Sequence, residues 1–297
     1  MLHVKFTEID GYRRANKGRR NTFAPPFVTA SANYFEVWEG PVKNTVRWDH
    51  LTWPQIKAMS EQKAIVLIPI GSIEQHGPHL PVGCDSILAT AISERIAAEL
   101  ADRGKPCIVA PTLTVANSMH HMGFPGSMTL DLSTYASVLS QYCECIAGHG
   151  FKRIVLINGH GGNTNPSQAA LVGIIEKLGF PVYFTGYWTG SGETVRKVLE
   201  TQEDSIHACE GETSLMLAID ESLVDPIYSQ TRGDTEGGHQ LGQPRYLSTY
   251  RRFDKYTKNG VIGNSYAATK EKGDQMVTAF VETIVGILEN DALWETQ

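Results

Sequence analysis

Apolar residues along this chain fall into two spacings. Ala64–Ile70 (AIVLIPI), Cys107–Ala110, Arg153–Ile157 (RIVLI) and Pro181–Thr185 are short, nearly continuous apolar runs. Runs of that length, rich in Ile and Val, predict strands buried on both faces. Ser86–Leu100 has the other spacing: Leu88, Ile92 and Ile96 recur every four residues, joined by Ala89 and Ala91, which predicts a helix. Ser133–Ala147 is a second helix, with Ser133 as its expected N-cap. Ser167–Leu178 is a third, closed by Gly179. Glu212–Ile219 and Asp274–Leu288 complete the helical set. Strands that alternate with helices predict parallel pairing, with helices on both faces of the sheet. The stretch Gln230–Gly263 breaks the alternation. It is rich in glycine, polar residues and tyrosine, and reads as a long functional loop or a subunit contact.

Composition narrows this picture. Of 297 residues, 41% are hydrophobic and 20% charged, enough apolar material for a large core. Nothing between Ala64 and Leu288 reads as a linker, so the expectation is one catalytic domain, 51–297, behind an N-terminal extension, 1–50. Arg13, Arg14, Lys17, Arg19 and Arg20 make that extension basic, as a solvated or subunit-contacting arm would be. The net charge of −6 points away from nucleic acid and anionic membranes as partners. Five cysteines without a C-x-x-C pair fit a reducing compartment. Cys143 and Cys145 are two apart on a helix and point to different sides. The N-terminus carries charges where a signal peptide needs an apolar core, and no apolar run approaches the ~20 residues that span a bilayer. The expected location is the cytoplasm.

Three polar stretches carry the candidate chemistry. The first, Gly71 to Asp85, follows the first strand directly and holds Glu74, His76 and Asp85. Ligand sites of parallel sheets form beyond the carboxyl ends of the strands, and carboxylates with imidazoles suit Zn²⁺ or Mn²⁺. The bland alternative makes Asp85 a helix-start residue and His76 and His79 loop residues. The second stretch, Asn158 to Asn163 (NGHGGN), follows the third strand and holds His160. It lacks the Lys-Ser/Thr of a phosphate-binding loop. The third, His207 to Ser214 (HACEGETS), opens a helix and offers Glu210 and Glu212. A single acidic residue there merely complements the helix dipole. Two, with a histidine, suggest a site.

Taken in order, IPIGSIEQHGPHLPVGCD, FPGSMTL, INGHGGN, HACEGETSLML and GVIG…ATKEKG resemble the creatininase family, from about Ala64 to the C-terminus. That resemblance implies a three-layer α/β/α sandwich with a mainly parallel sheet. It implies a homo-oligomer, with a hexamer the leading expectation. It also implies two divalent metal ions per subunit (Zn²⁺, Mn²⁺ or Fe²⁺). By the same resemblance Glu74 and His160 hold one ion, His76 the other, and Asp85 bridges. Creatininase has a glutamate where this chain has Gly162, so the missing carboxylate is assigned to Glu212, with Glu210 as the alternative.

The implied chemistry is a metal-activated water that attacks a carbonyl carbon. His207 aligns with the family's catalytic histidine, and His207 and Glu212 are the catalytic candidates. Trp188 matches one of the two tryptophans that close over creatinine. The other falls near Glu203, where this chain has none, so creatinine is not the expected substrate. His120 and His121 are expected to line the substrate pocket. The sequence therefore predicts a metal-dependent amidohydrolase that cleaves a linear or cyclic amide C–N bond, other than a peptide bond, in a small molecule. The alternatives are ring opening of a cyclic ketone or lactone, and a non-catalytic metal-binding protein.

Overall fold

The computed structural model describes residues 45–233 and 250–295. The basic cluster of the N-terminal extension and residues 234–249 of the segment from Gln230 to Gly263 lie outside the described residues. Four strands, β1 (Ile65–Ile70), β2 (Cys107–Val109), β3 (Arg153–Asn158) and β4 (Val182–Gly186), form one parallel sheet in the order β2-β1-β3-β4. These are the four apolar runs.

Alternation along β1 explains the layering. Ile65 and Leu67 face a core shared with α2 (Cys84–Asp102), α6 (Glu210–Asp220) and α7 (Lys270–Leu288). Val66, Ile68 and Ile70 face a second core, shared with α1 (Trp53–Glu61), α3 (Leu132–Gly148) and α4 (Thr164–Leu178). Each strand residue is buried by one helical layer or the other, so the run carries no polar side chain. Two short helices, α5 (Gly192–Val198) and α8 (Ala292–Glu295), complete the α-helices among the described residues. The fold is an α/β/α sandwich.

Local signals account for several helix ends. Gly179 closes α4 in the left-handed conformation, at φ 74°. The α3 cap differs from expectation. Asp131, not Ser133, accepts the Thr134 N–H at 2.8 Å, and the Ser133 hydroxyl donates to the same carboxylate. An acidic oxygen takes both donors, so the hydroxyl joins the cap instead of making it. Helix α1 went unpredicted. It starts at Thr52, where Gln55 Oε1 accepts the Thr52 N–H at 2.9 Å. Residues 45–50, inside the predicted extension, already join the domain: Val109 N–H donates to Val46 O at 2.7 Å, and Trp48 packs on Phe151. Of the C-x-C pair, Cys143 is buried and Cys145 exposed. No helix among the described residues is long and apolar enough to cross a membrane.

Register positions the site. Ile70, Asn158 and Gly186 pair across the sheet, so β1, β3 and β4 end level. The chain leaves them at Gly71, Gly159 and Tyr187. Two of these exits press against the first turn of α2. A Cβ on Gly71 would strike the backbone of Ser86, and one on Gly159 would sit 2.6 Å from the Asp85 carbonyl oxygen. Only glycine permits backbones to approach so closely.

Candidate metal centre and active site

Glu74 and His76 leave β1, His160 leaves β3, and Asp85 lies in the first turn of α2, one residue inside the helix rather than before it. Glu212 lies in the first turn of α6, where the acidic pair of the third stretch opens the helix. All five converge. His160 Nδ1 is 3.1 Å from Glu74 Oε2 and 3.1 Å from Asp85 Oδ2. His76 Nε2 is 3.1 Å from Asp85 Oδ1 and 3.9 Å from Glu212 Oε2. Asp85 thus offers one oxygen to each imidazole. Among the described residues four groups of ligand-type atoms result: Glu74–Asp85–His160 and His76–Asp85–Glu212 share Asp85, and Glu74–His76–His207 and Glu74–His120–His121 share Glu74.

The outward nitrogens of both imidazoles are tied to backbone carbonyls. His76 Nδ1 donates to Glu74 O at 3.2 Å, and His160 Nε2 donates to Asn117 O at 3.1 Å. Each therefore turns its other nitrogen inward, as metal-binding histidines do. The inward atoms approach without bonding one another: Glu74 Oε1, His76 Nε2 and Asp85 Oδ2 are buried with no hydrogen-bond partner. Buried polar atoms left in that state are costly, and a divalent cation held by these residues would remove the cost. The donor set of nitrogens and carboxylate oxygens fits Zn²⁺ or Mn²⁺.

Charge supports the same reading. Glu74, Asp85 and Glu212 line one cavity of about 550 Å³, into which no described lysine or arginine projects. Burial opposes a charge on His76, but Asp85, Glu212 and Glu74 outweigh it and raise the imidazole to about 10. Burial lifts Glu212 to about 7; His76 opposes the rise and Asp85 adds to it. The cluster is short of positive charge.

Glu210, the alternative to Glu212, points elsewhere. Its carboxylate is buried against Lys272 Nζ at 2.6 Å and accepts from the backbone of Glu200 and Thr201. Gly162, where creatininase has its glutamate, has no space for a side chain. A Cβ there would collide with His160 Nε2 and His120 Cε1.

The remaining predicted residues surround the cluster. His207 is buried, with Nδ1 3.7 Å from Glu74 Oε1. Burial, then the neighbouring His76, holds its pKa well below the usual value, so it is neutral. It is delivered by Ala208, whose φ of 49° is unusual for a residue with a side chain and which sends its N–H to Glu212 Oε2 at 2.5 Å. His120, His121 and Trp188 all line the cavity. Trp188 stands edge-on to Tyr187, and the segment Asp204–Ile206 also lines the cavity where a second tryptophan is absent.

Other contacts escaped the sequence reading. Ser118 donates to Glu74 Oε2 at 2.8 Å, and Phe253 packs on His121 with ring centroids 4.0 Å apart. Phe253 belongs to the segment read as a functional loop, which was its one available signal. Gln75 touches both His121 and His207. Its position between Glu74 and His76 hinted at a role, but its partners are 46 and 132 residues away.

Carboxylates and imidazoles converging beyond the strand ends of a parallel sheet are the layout of a hydrolytic α/β enzyme. Comparison with known proteins gives the particular family. The creatinine amidohydrolase family model matches residues 49–288, and this chain belongs to the creatininase family, whose enzymes are hydrolases. The mycofactocin precursor peptide peptidase of Mycolicibacterium smegmatis is 29% identical over 234 residues, 78% of this chain and 85% of that protein. The creatinine amidohydrolase of Pseudomonas putida is 25% identical over 261 residues, 81% of this chain and 95% of that protein. Solved creatininase structures in an Mn form and, for one variant, a Zn–Zn form each superpose with a TM-score of 0.70 at 25% identity, covering 82% of this chain and 97% of theirs.

Proposed function

We propose that the protein is a metal-dependent amidohydrolase that cleaves a linear or cyclic amide C–N bond with two divalent ions. Glu74, Asp85 and His160 would hold one ion, and His76, Asp85 and Glu212 the other. The observation that carries this reading is Asp85, whose two oxygens lie 3.1 Å from two different inward-facing imidazoles. When bound, such ions lower the pKa of water and polarise a carbonyl oxygen.

The protein's own residues then handle the proton. His207 Nδ1 is a neutral nitrogen beside Glu74. A water O–H bond breaks, its proton passes to Nδ1, and its oxygen bonds to the carbonyl carbon. The C–N bond then breaks, and the leaving nitrogen takes the proton back from Nδ1. Trp188, Tyr187, Phe253 and Phe280 give the cavity an apolar wall. At about 550 Å³ it is within the range for small-ligand sites and suits a linear amide with an apolar substituent better than a small cyclic urea. Such a molecule is the proposed partner, together with further copies of this chain in a homo-oligomer, a hexamer on the family resemblance. Residues 51–297 would form the catalytic domain, with residues 45–50 packed against it, and the protein would work in the cytoplasm.

The test is a hydrolysis screen of Zn²⁺-, Mn²⁺- and Fe²⁺-loaded protein against cyclic ureas, formamides, short peptides and keto-cyclitols, with Asp85→Ala alongside. Amide cleavage that Asp85→Ala abolishes is the expected result. Cleavage confined to keto-cyclitols would replace this reading with ring opening. Cleavage confined to peptides would move the substrate to the class named for the mycobacterial relative.

A further inference from the structure

The Gln75 carboxamide is held from several sides in the middle of the site. Its oxygen accepts the Gly77 N–H at 2.9 Å, and its nitrogen donates to the Gly260 carbonyl at 3.1 Å. These two bonds settle which end is oxygen and which nitrogen. Both glycines are left-handed, at φ 66° and 85°, and a Cβ on Gly260 would run into the carboxamide oxygen. The backbone is shaped around this amide both locally, at Gly77, and from a segment 185 residues away, at Gly260.

One amide hydrogen remains. Within its reach are His121 Nδ1 at 3.1 Å and His207 Nε2 at 2.9 Å. His207 Nε2 also lies 2.9 Å from the backbone oxygen of Gln75, which can only accept. If His207 Nε2 carries a proton, it donates to that oxygen, and the amide hydrogen goes to His121 Nδ1. All four groups are then satisfied. The reverse assignment takes the His207 proton away from the Gln75 oxygen and leaves His121 Nδ1 without a donor. Buried groups are seldom left that way.

We infer that Gln75 is a positioning residue that sets two histidines in complementary tautomers, His121 with its N–H turned into the site and His207 with a bare nitrogen. This follows from geometry. His121 keeps its proton on Nε2, the atom 3.3 Å from Glu74 Oε1, while His207 leaves Nδ1 bare, 3.7 Å from the same oxygen. The site thereby gains a donor for a developing oxyanion beside an acceptor for the proton of water. The catalytic use of the pair rests on the amidohydrolase reading; the tautomers do not.

The experiment uses the full chain, loaded with zinc and labelled with ¹⁵N-histidine, and reads the proton-bearing nitrogen of each ring by two-bond ¹⁵N–¹H correlation. In the parent both His121 and His207 carry the proton on Nε2. Gln75→Glu keeps the shape but can only accept at His121, so the His121 proton moves to Nδ1 and its two ¹⁵N shifts exchange. His207, held by a backbone oxygen, stays as it was. The zinc content is unchanged and kcat on a cleaved amide falls about 100-fold. Gln75→Met, which neither donates nor accepts strongly, gives His121 a mixture of tautomers and serves if the glutamate variant does not fold. A His121 that keeps its proton on Nε2 in the variant, or carries it on Nδ1 in the parent, overturns the inference. So does loss of zinc from Gln75→Glu. If no amide is cleaved but the shifts exchange, the tautomer lock stands and the amidohydrolase reading falls.

Discussion

The two halves of the cluster share Asp85 but are not built alike. In the Glu74–His160 half both partners leave strand ends, and both contacts to His160 Nδ1 are 3.1 Å. Ser118, fully buried, fixes the carboxylate of Glu74. In the His76–Glu212 half, one carboxylate comes from α6, 136 positions after His76, and the gap is 3.9 Å. Glu212 is also the more exposed carboxylate, its side chain 12% accessible against 1% for Glu74. One half belongs to the sheet and the other depends on how a separate helix is docked. On the proposed two-ion reading, this difference predicts that the Glu74–Asp85–His160 half holds its ion more firmly than the His76–Asp85–Glu212 half.

The sharpest break of this comparison is to remove what the halves share. Asp85→Ala should lose both ions by elemental analysis and lower turnover at least about a thousandfold. His76→Ala should keep the ion of the other half, and equal losses in the two variants would show that Asp85 does not bridge. Next in size, Glu212→Gln should lose one ion per subunit and turnover with it, because two protein ligands hold a catalytic zinc poorly. Retention of both ions by that variant would transfer the role elsewhere. Ser118→Ala should weaken only the firmer half, by about 10–100-fold in ion affinity measured by competition with a chelator. An equal weakening of both halves would erase the distinction drawn above. The smallest effect on the ions belongs to Glu210→Gln, which should leave both in place. Its cost falls on folding: Lys272 loses a buried partner but keeps Glu200 at 2.8 Å, so the loss should be about 2 kcal/mol by denaturant titration.

The same contrast explains what could be read in advance. The strand ends were legible because β1 and β3 are continuous apolar runs broken abruptly by glycine, so polar residues after them had one place to go. Helix α4 was legible for a similar reason, its end marked by Gly179. Short α1 and α5 lack enough turns to show a period. Glu212 was preferred to Glu210 on the family resemblance alone; the contact that occupies Glu210, with Lys272, lies 62 residues away and no local pattern reveals it. Ser118 and Phe253 were missed on the same ground. A serine or a phenylalanine in a loop has no signature until the fold sets it against Glu74 or His121.

The glycines at the exits of β1 and β3 have a last consequence. Gly71 and Gly159 close on the first turn of α2 from two sides, with no atom to spare between backbones. The residue shared by both halves therefore has little freedom to shift when the occupant changes size. On the proposed metal reading, ions of different radius would be accommodated by the opening turn of α6 with Glu212. Promiscuity toward metals, if selection wanted it, would be tuned by substitutions around Ala208 and the Glu210–Lys272 pair, far in sequence from the motif that carries most of the ligands.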